Sequence, residues 1–435
     1  MPKNDSDQEV FRNNELSSNE QIKAVKRKET GEASSSESSP PLKRKRIAIR
    51  KDQDEEPFPM NVSTEIRQGV RYLAPYWAVY RARAKGRWIG RRMVDVFAQE
   101  FLSLNSNYPK VACKLGRIYV NDKQMLDVNY VLKDGDLIHH WGHRHEHPIL
   151  DMPLNIIAET DDLLVINKPP SLPVHACGQY AIHTVLGQLR YHHNRHGLRV
   201  LHRLDRTTSG VLLFAKNYET DIEFKKTLKE GTWTKEYLCM VEGVFPDDEI
   251  ECNEPIGVLV VSMGIQCVRP DGKPARSRFK KLWSDGKRSV LSVILYTGRT
   301  HQIRVHAQFL DQLYNSTVWG PQKGKGAEYS KPYSELCDDV RNAHKCSNWH
   351  ETVDPQYELR MAKLAEEELE PEPYDFHSSD RPSYDPICLN CNVVKKEVPR
   401  DHFQLYLHCL RYSTEKWSYS TPVPQWAIEP ASCLA

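Results

Sequence analysis

Leu201-His202-Arg203-Leu204-Asp205-Arg206-Thr207-Thr208-Ser209-Gly210-Val211-Leu212-Leu213-Phe214-Ala215-Lys216 sets one carboxylate among cations and small hydroxyl residues, directly ahead of an apolar run. The run from Val211 to Ala215 reads as a buried strand, and Ser209-Gly210 permits a tight turn that lifts the preceding residues onto its rim. Asp205 stands between Arg203 and Arg206, whose opposite charge favours the ionised carboxylate. It is therefore a candidate nucleophile or base, against the alternative of a surface ion pair ahead of a core strand.

The order His-Arg-Leu-Asp-Arg-x-Thr-Ser-Gly resembles the signature of the RluA-type RNA pseudouridine synthases. Three further segments carry the same resemblance: Val165-Ile166-Asn167-Lys168-Pro169-Pro170 through Val174-His175, Lys235-Glu236-Tyr237 through Val241-Glu242-Gly243, and Thr297-Gly298-Arg299-Thr300-His301-Gln302-Ile303-Arg304-Val305-His306. It covers roughly Met152 to Ala427 and implies an RNA isomerase that turns uridine into its C-glycoside. Such a reaction needs no redox or energy input, in keeping with a chain that has no Gly-rich phosphate loop. The resemblance makes Asp205 the catalytic carboxylate, acting either by attack or by taking a sugar proton. It makes Arg304 the fixed cation that holds Asp205 ionised and aimed, on a strand, and Tyr237 the aromatic lying against the flipped base. Arg203 would fill the space the extruded nucleotide leaves, Leu407 would wall the pocket, and Arg299, Lys273 and Arg276 would contact phosphate. Without the resemblance, Tyr237 reads as a core strand aromatic and the three cations as solvated loop charges.

Strands in short succession with few helices between them give an α+β class, and the resemblance sharpens this to a pseudouridine synthase fold with a mixed, mostly antiparallel sheet. Candidate strands are Glu236 to Glu242, Val258 to Val261, Arg278 to Trp283 and Ser289 to Tyr296. Candidate helices are Ala181 to Arg195 and Tyr218 to Leu228, the second stopped by Gly231. The expected division is a tail over 1–60, a small domain over 61–147, a catalytic domain over 148–320, an insertion over 321–385, and a return to the catalytic domain over 386–430. The tail is Ser/Glu/Lys-rich and expected to be disordered. Its clusters Lys26-Arg27-Lys28 and Pro40-Pro41-Leu42-Lys43-Arg44-Lys45-Arg46 read as a nuclear import signal or as a solvated basic arm.

The 61–147 segment alternates aromatic and basic residues through Tyr76-Trp77-Ala78-Val79-Tyr80-Arg81-Ala82-Arg83, a pattern suited either to stacking and phosphate contact or to an amphipathic element. Its Gly-x-Ile-x-Val-Asn and Leu-x-x-Gly-Asp-x-Ile strings look like the small S4 RNA-binding module. That likeness makes Arg91, Arg92, Lys110, Lys114 and Arg117 the phosphate contacts. His139, His140, His143, His145 and His147 read as a polar hinge rather than a metal site, since no cysteine or carboxylate of recognised zinc spacing is near in the chain. Cys388-Leu389-Asn390-Cys391 is half a zinc pattern, with His402, His408 and Cys409 downstream, and reads more simply as thiols. No metal and no cofactor is expected. The insertion, with Glu366-Glu367-Glu368-Leu369-Glu370-Pro371-Glu372-Pro373, reads as largely disordered with one helix near Tyr357 to Glu368. After Phe309, about six residues of the family pattern are missing near Asp311, which raises an alternative: an RNA-binding module of the same fold with impaired catalysis.

A formal charge of +2 hides basic and acidic blocks, so RNA remains a partner; transfer RNA is favoured and messenger RNA is the alternative. No apolar run approaches a membrane span of about 20 residues, and the opening residues make no signal peptide. A monomeric, soluble, nuclear or cytoplasmic protein is expected, with its eleven cysteines reduced.

Overall fold

A computed structural model describes residues 62–100, 105–260, 264–314, 351–352, 354–374, 380–395 and 397–431. The expected tail with both basic clusters, and the first part of the expected insertion, lie outside the described residues.

A ten-stranded sheet forms the centre of the chain. Its main path runs Ile250–Cys252, Ser277–Ser284, Arg288–Leu295, Thr234–Glu242, Leu407–Ser413, Ser209–Ala215, Leu163–Lys168 and Asn155–Glu159. All pairings along it are antiparallel except Ser209–Ala215 against Leu407–Ser413. The class is α+β with a mixed, mostly antiparallel sheet. Leu164, Val165, Ile166 and Val211 to Ala215 are all fully buried, the uninterrupted apolar run that a strand covered on both faces requires.

Two helices flank this sheet with side-chain caps. Val185–His193 begins at Thr184, whose hydroxyl accepts from Gly187 N–H. Tyr218–Glu230 begins at Asn217, whose side chain accepts from Thr220 N–H, and ends on Gly231 at φ +76°, where a residue without Cβ meets no strain. The last family-like stretch, Leu405 to Tyr412, resolves as the strand Leu407–Ser413. Helix Gln302–Tyr314 runs without a break through the position where the family pattern shortens.

Ahead of the large sheet, Tyr76–Arg83 pairs with Leu137–Arg144, which pairs with Ile118–Val120. The short helices Met93–Glu100 and Tyr108–Lys114 pack beside them, burying Met93, Val96, Phe97, Val111 and Ala112. The histidine run is therefore not a hinge: His139, His140 and His143 lie on the strand Leu137–Arg144, and with His145 they are buried. Tyr76–Arg83 is the amphipathic strand, with Tyr76 buried and a half-buried Trp77 lying against the His143 ring at 5.3 Å.

The expected insertion is the largest departure. Helix Tyr357–Glu366 buries Tyr357, Met361 and Ala365 in the same core as Met93 and Phe97, joined by Ile387. These three residues recur every four positions, an apolar stripe that outweighs the surrounding charge. Val398 and Phe403 then pack on Val70 and Leu150. The chain thus returns to the large sheet at Leu407, not at 386, and the stretch between is held by the elements of residues 62–150, here called the N-terminal unit.

If this helix is a packed part of that core, Met361→Ala lowers the unfolding free energy by about 2–4 kcal/mol. Leu359→Ala, at a side chain 75% exposed on the same helix, changes it by no more than about 0.5 kcal/mol. Urea unfolding of both variants measures the contrast, and equal small effects would contradict the packing.

Candidate active site

Asp205 sits in the turn before Ser209–Ala215, where its carbonyl accepts from Thr208 N–H at 3.1 Å. Two features seat that turn. Gly210, at φ +114°, is pressed so close to the neighbouring strand that a Cβ would lie 2.1 Å from the Cys409 carbonyl oxygen; no other residue fits there. Lys168, fully buried, donates to the carbonyls of Pro169 at 2.9 Å, Leu172 at 2.7 Å and Arg206 at 3.0 Å. It ties the loop after one strand to the turn carrying Asp205. Burial pulls the Lys168 ammonium down to about 7, against the pull of the Asp205 charge.

The carboxylate's nearest partner is His301, whose Nδ1 lies 2.7 Å from Asp205 Oδ2. Arg304 Nη1 is 3.8 Å from the same oxygen and 3.3 Å from His301 Nδ1. One nitrogen cannot both donate to the carboxylate and accept from the guanidinium. With the proton directed at Asp205, Arg304 acts through its charge rather than through a second hydrogen bond. Burial pushes the Asp205 carboxyl up. The His301 hydrogen bond and the charges of His301, Arg304 and Lys168 outweigh it, so the group sits below its ordinary value. The carboxylate remains 28% exposed and the imidazole 35%, leaving a path for an incoming group.

His301 takes φ +57°, a left-handed conformation that residues with a side chain seldom adopt. Gln302 holds the strain in place. Its carbonyl oxygen accepts from Thr297 Oγ1 at 2.8 Å and Arg299 N–H at 2.9 Å, and its amide donates to Ser277 Oγ at 2.8 Å and the Arg276 carbonyl at 3.0 Å. His301 was not singled out as a site residue; its signal was a histidine directly before Gln-Ile-Arg. Arg304 lies on the helix Gln302–Tyr314 and not on a strand, because Gln302, His306 and Leu310 form a buried face at helical spacing.

Tyr237 is buried on Thr234–Glu242, opposite Cys409, and its hydroxyl meets Tyr412 Oη at 2.7 Å. Burial pushes its phenol well up, so it stays protonated. No described hydrogen bond or ion pair joins it to Asp205. Leu407 is buried two positions before Cys409 on the neighbouring strand. Arg203 is exposed, two positions before Asp205 in the chain. Arg299 donates to the Pro274 carbonyl at 2.8 Å, and Arg276 forms a two-pronged pair with Glu251.

The cations assigned to the small domain divide. Arg117 is 2% exposed, held by Asp385 and Glu372; a buried guanidinium with two carboxylates is a structural pair, not a phosphate contact. Lys114 donates to the carbonyls of Ala365 at 2.8 Å and Glu367 at 2.6 Å, closing the end of helix Tyr357–Glu366. Lys110 pairs with Glu366. Arg91 and Arg92 remain at the surface, beside Gln99 and Asp95.

A family model described as RNA pseudouridylate synthase matches residues 162–309. An uncharacterised Caenorhabditis elegans protein is 65% identical over 382 residues, 86% of this chain and 88% of that protein. Human "Pseudouridylate synthase RPUSD2" is 35% identical over 401 residues, 82% of this chain and 74% of that protein. The Saccharomyces cerevisiae "tRNA pseudouridine(32) synthase, mitochondrial" is 33% identical over 384 residues, covering 82% and 77%.

His301→Ala removes the shortest contact to Asp205, so the carboxyl titrates at higher pH than in the parent chain. Because its folded value lies below the ordinary 3.8, the cluster's contribution to stability is complete above that value and fades as pH falls through the folded one. Isotope-edited NMR of aspartate-labelled protein, with Asp205→Asn identifying the resonance, measures the shift; an unmoved titration would remove His301 as the main partner.

Proposed function

The chain belongs to the RluA-type RNA pseudouridine synthase family and is an RNA-modifying isomerase, and we propose that Asp205, aimed by His301 and Arg304, is the residue that carries out its chemistry. In the reaction the N1–C1′ bond of uridine breaks, the base turns, and C5 joins C1′. C5 gives up its proton and N1 takes one. The step asks for an ionised carboxylate beside the sugar, whether it attacks or takes a sugar proton. The observation that carries this reading is the 2.7 Å contact between Asp205 and His301 with Arg304 at 3.8 Å. The His301 hydrogen bond, with the positive charge of Arg304 and Lys168 nearby, outweighs the cost of partial burial and keeps the acid in its reactive form.

Tyr237, as the neutral phenol that burial enforces, supplies an aromatic face and a hydroxyl to the pocket rather than a phenolate base. Leu407 forms part of the apolar wall. Arg203 takes the place of the extruded nucleotide and lowers an unstacking cost of a few kcal/mol. Arg299 contributes positive charge near the entry. For the N-terminal unit we retain an S4-like RNA-binding role with Arg91 and Arg92 as its phosphate contacts and without Lys114 and Arg117. A relative named for a transfer RNA position supports transfer RNA as the substrate class, with messenger RNA as the second. The basic clusters near the N-terminus support a nuclear or cytoplasmic location, and we take the active form to be a monomer. No helix among the described residues is long and apolar enough to cross a membrane. A catalytically idle module is not favoured, since Asp205 and its cations are assembled and the chain is 35% identical to a relative named as a synthase.

Asp205→Asn lowers turnover by roughly 10⁴-fold or more, while RNA affinity stays within about threefold because the phosphate contacts remain. Release of tritium from uridine C5 of labelled transfer RNA reads the first, and filter binding the second. Product at the parent rate would exclude Asp205. Pseudouridine mapping of total RNA with and without the protein separates transfer from messenger RNA.

A further inference from the structure

Two parts of the chain that are far apart in sequence bring four soft donor groups together. His143 is the second-last residue of the strand Leu137–Arg144, and His145 directly follows the strand. Cys388 and Cys391 lie on a turn 248 positions away in chain order, measured from His143 to Cys391. His143 Nδ1 is 3.0 Å from Cys391 Sγ, His145 Nε2 is 3.3 Å from His143 Nδ1, and Cys391 Sγ is 3.4 Å from His145 Nε2. All four donor atoms lie within 4.8 Å of one another.

These spacings come close to a particular geometry. Zinc with Zn–S near about 2.3 Å and Zn–N near about 2.0–2.1 Å, in a tetrahedron, sets its donors roughly 3.3–3.8 Å apart. Two ring nitrogens and a sulfur crowd within 3.4 Å of one another, where His143, His145 and Cys388 are each more than nine-tenths buried, a costly place for polar atoms unless a shared partner draws them together. A divalent cation with two thiolates is neutral overall, which suits a buried position. The sulfurs are also prepared to carry charge. Asn390 N–H donates to Cys388 Sγ and Asp385 N–H to Cys391 Sγ, each at 3.4 Å, the outer bonds that steady metal-bound thiolates.

We propose that His143, His145, Cys388 and Cys391 form a structural zinc site that fastens residues 380–395 to the N-terminal unit. Four protein donors close the coordination sphere and leave no position for a water or substrate, so the site takes no part in the isomerisation. The donor set, two imidazoles and two thiolates without a carboxylate, selects zinc over magnesium or calcium. Neither sequence half meets a recognised pattern alone. His402, His408 and Cys409 are not part of the cluster: His408 instead meets Ser209 Oγ at 2.8 Å and Thr421 Oγ1 at 2.6 Å.

The test uses the full chain, purified under reducing conditions without added metal. Elemental analysis should return about one zinc per chain. Exchange with cobalt should give the visible absorption of a tetrahedral ion together with thiolate-to-cobalt charge transfer. Cys391→Ser and His143→Ala should each lose the metal, whereas Cys177→Ser, at an exposed thiol outside the cluster, should keep it. Background zinc in the parent chain with no tetrahedral cobalt spectrum overturns the proposal, as does a Cys388–Cys391 disulfide in the resting protein. Should the cluster variants fail to fold, the parent chain's metal content and cobalt spectrum still decide.

Discussion

The closeness of Gly210 to the backbone of Cys409 is the constraint from which the site follows. There the strand after the Asp205 turn runs parallel to Leu407–Ser413, the sole parallel pairing on the sheet's main path. A side chain at 210 would collide with the Cys409 carbonyl and push the strands apart. Cys409 is also the register partner of Tyr237. One backbone contact therefore bears on the placement of the Asp205 turn, of Tyr237 and of the strand that carries Leu407. These residues come from three separated stretches of chain, and only the sheet brings them into order.

Around that frame the charges are arranged so that one acid remains ionised and reachable. Lys168 spends all its donors on carbonyls, one of them in the Asp205 turn, and so acts as a rivet as well as a charge. His301 holds an unfavourable backbone angle because four hydrogen bonds at Gln302 fix the turn around it. Strain of this sort costs about 1–3 kcal/mol and persists only where surrounding contacts over-determine it. Its location beside the carboxylate argues that the imidazole's aim matters more to this protein than the stability forgone.

Much of this was legible in the chain. The apolar run Val211 to Ala215 reads as a buried strand because covered strands need no alternation, and Asp205 and Arg304 emerge from motif-like stretches. The helical state of Gln302 to Tyr314 was obscured by Ile303 and Val305, branched residues that lean toward strands, although Gln302, His306 and Leu310 already had helical spacing. A helix near Tyr357 to Glu368 was legible, but its burial through Tyr357, Met361 and Ala365 was not, because the glutamates and prolines beside it made the stretch read as an insertion. Arg117 looked like an RNA contact because charge in a sequence carries no label of burial. Its partners, Glu372 and Asp385, lie more than 250 positions on, beyond any local pattern.

These distant pairings also explain why the basic helix Tyr108–Lys114 is not an open cationic face. Lys110 and Lys114 are engaged by helix Tyr357–Glu366, one by Glu366 and one by the helix's last carbonyls, where the negative end of the helix dipole favours a cation. Arg117 anchors the chain after it. Binding RNA phosphates there would require breaking a buried charge pair, a change that leaves a carboxylate unpaired in the interior and typically costs about 3–5 kcal/mol. Surface phosphate contacts return far less than that individually, so the later segment holds Arg117 whether or not RNA is present, whereas the exposed Lys110–Glu366 pair is a weaker tie. Cations that keep contact with water are found elsewhere: Arg203 is exposed two positions before Asp205, and Arg304 is 48% exposed beside the same carboxylate.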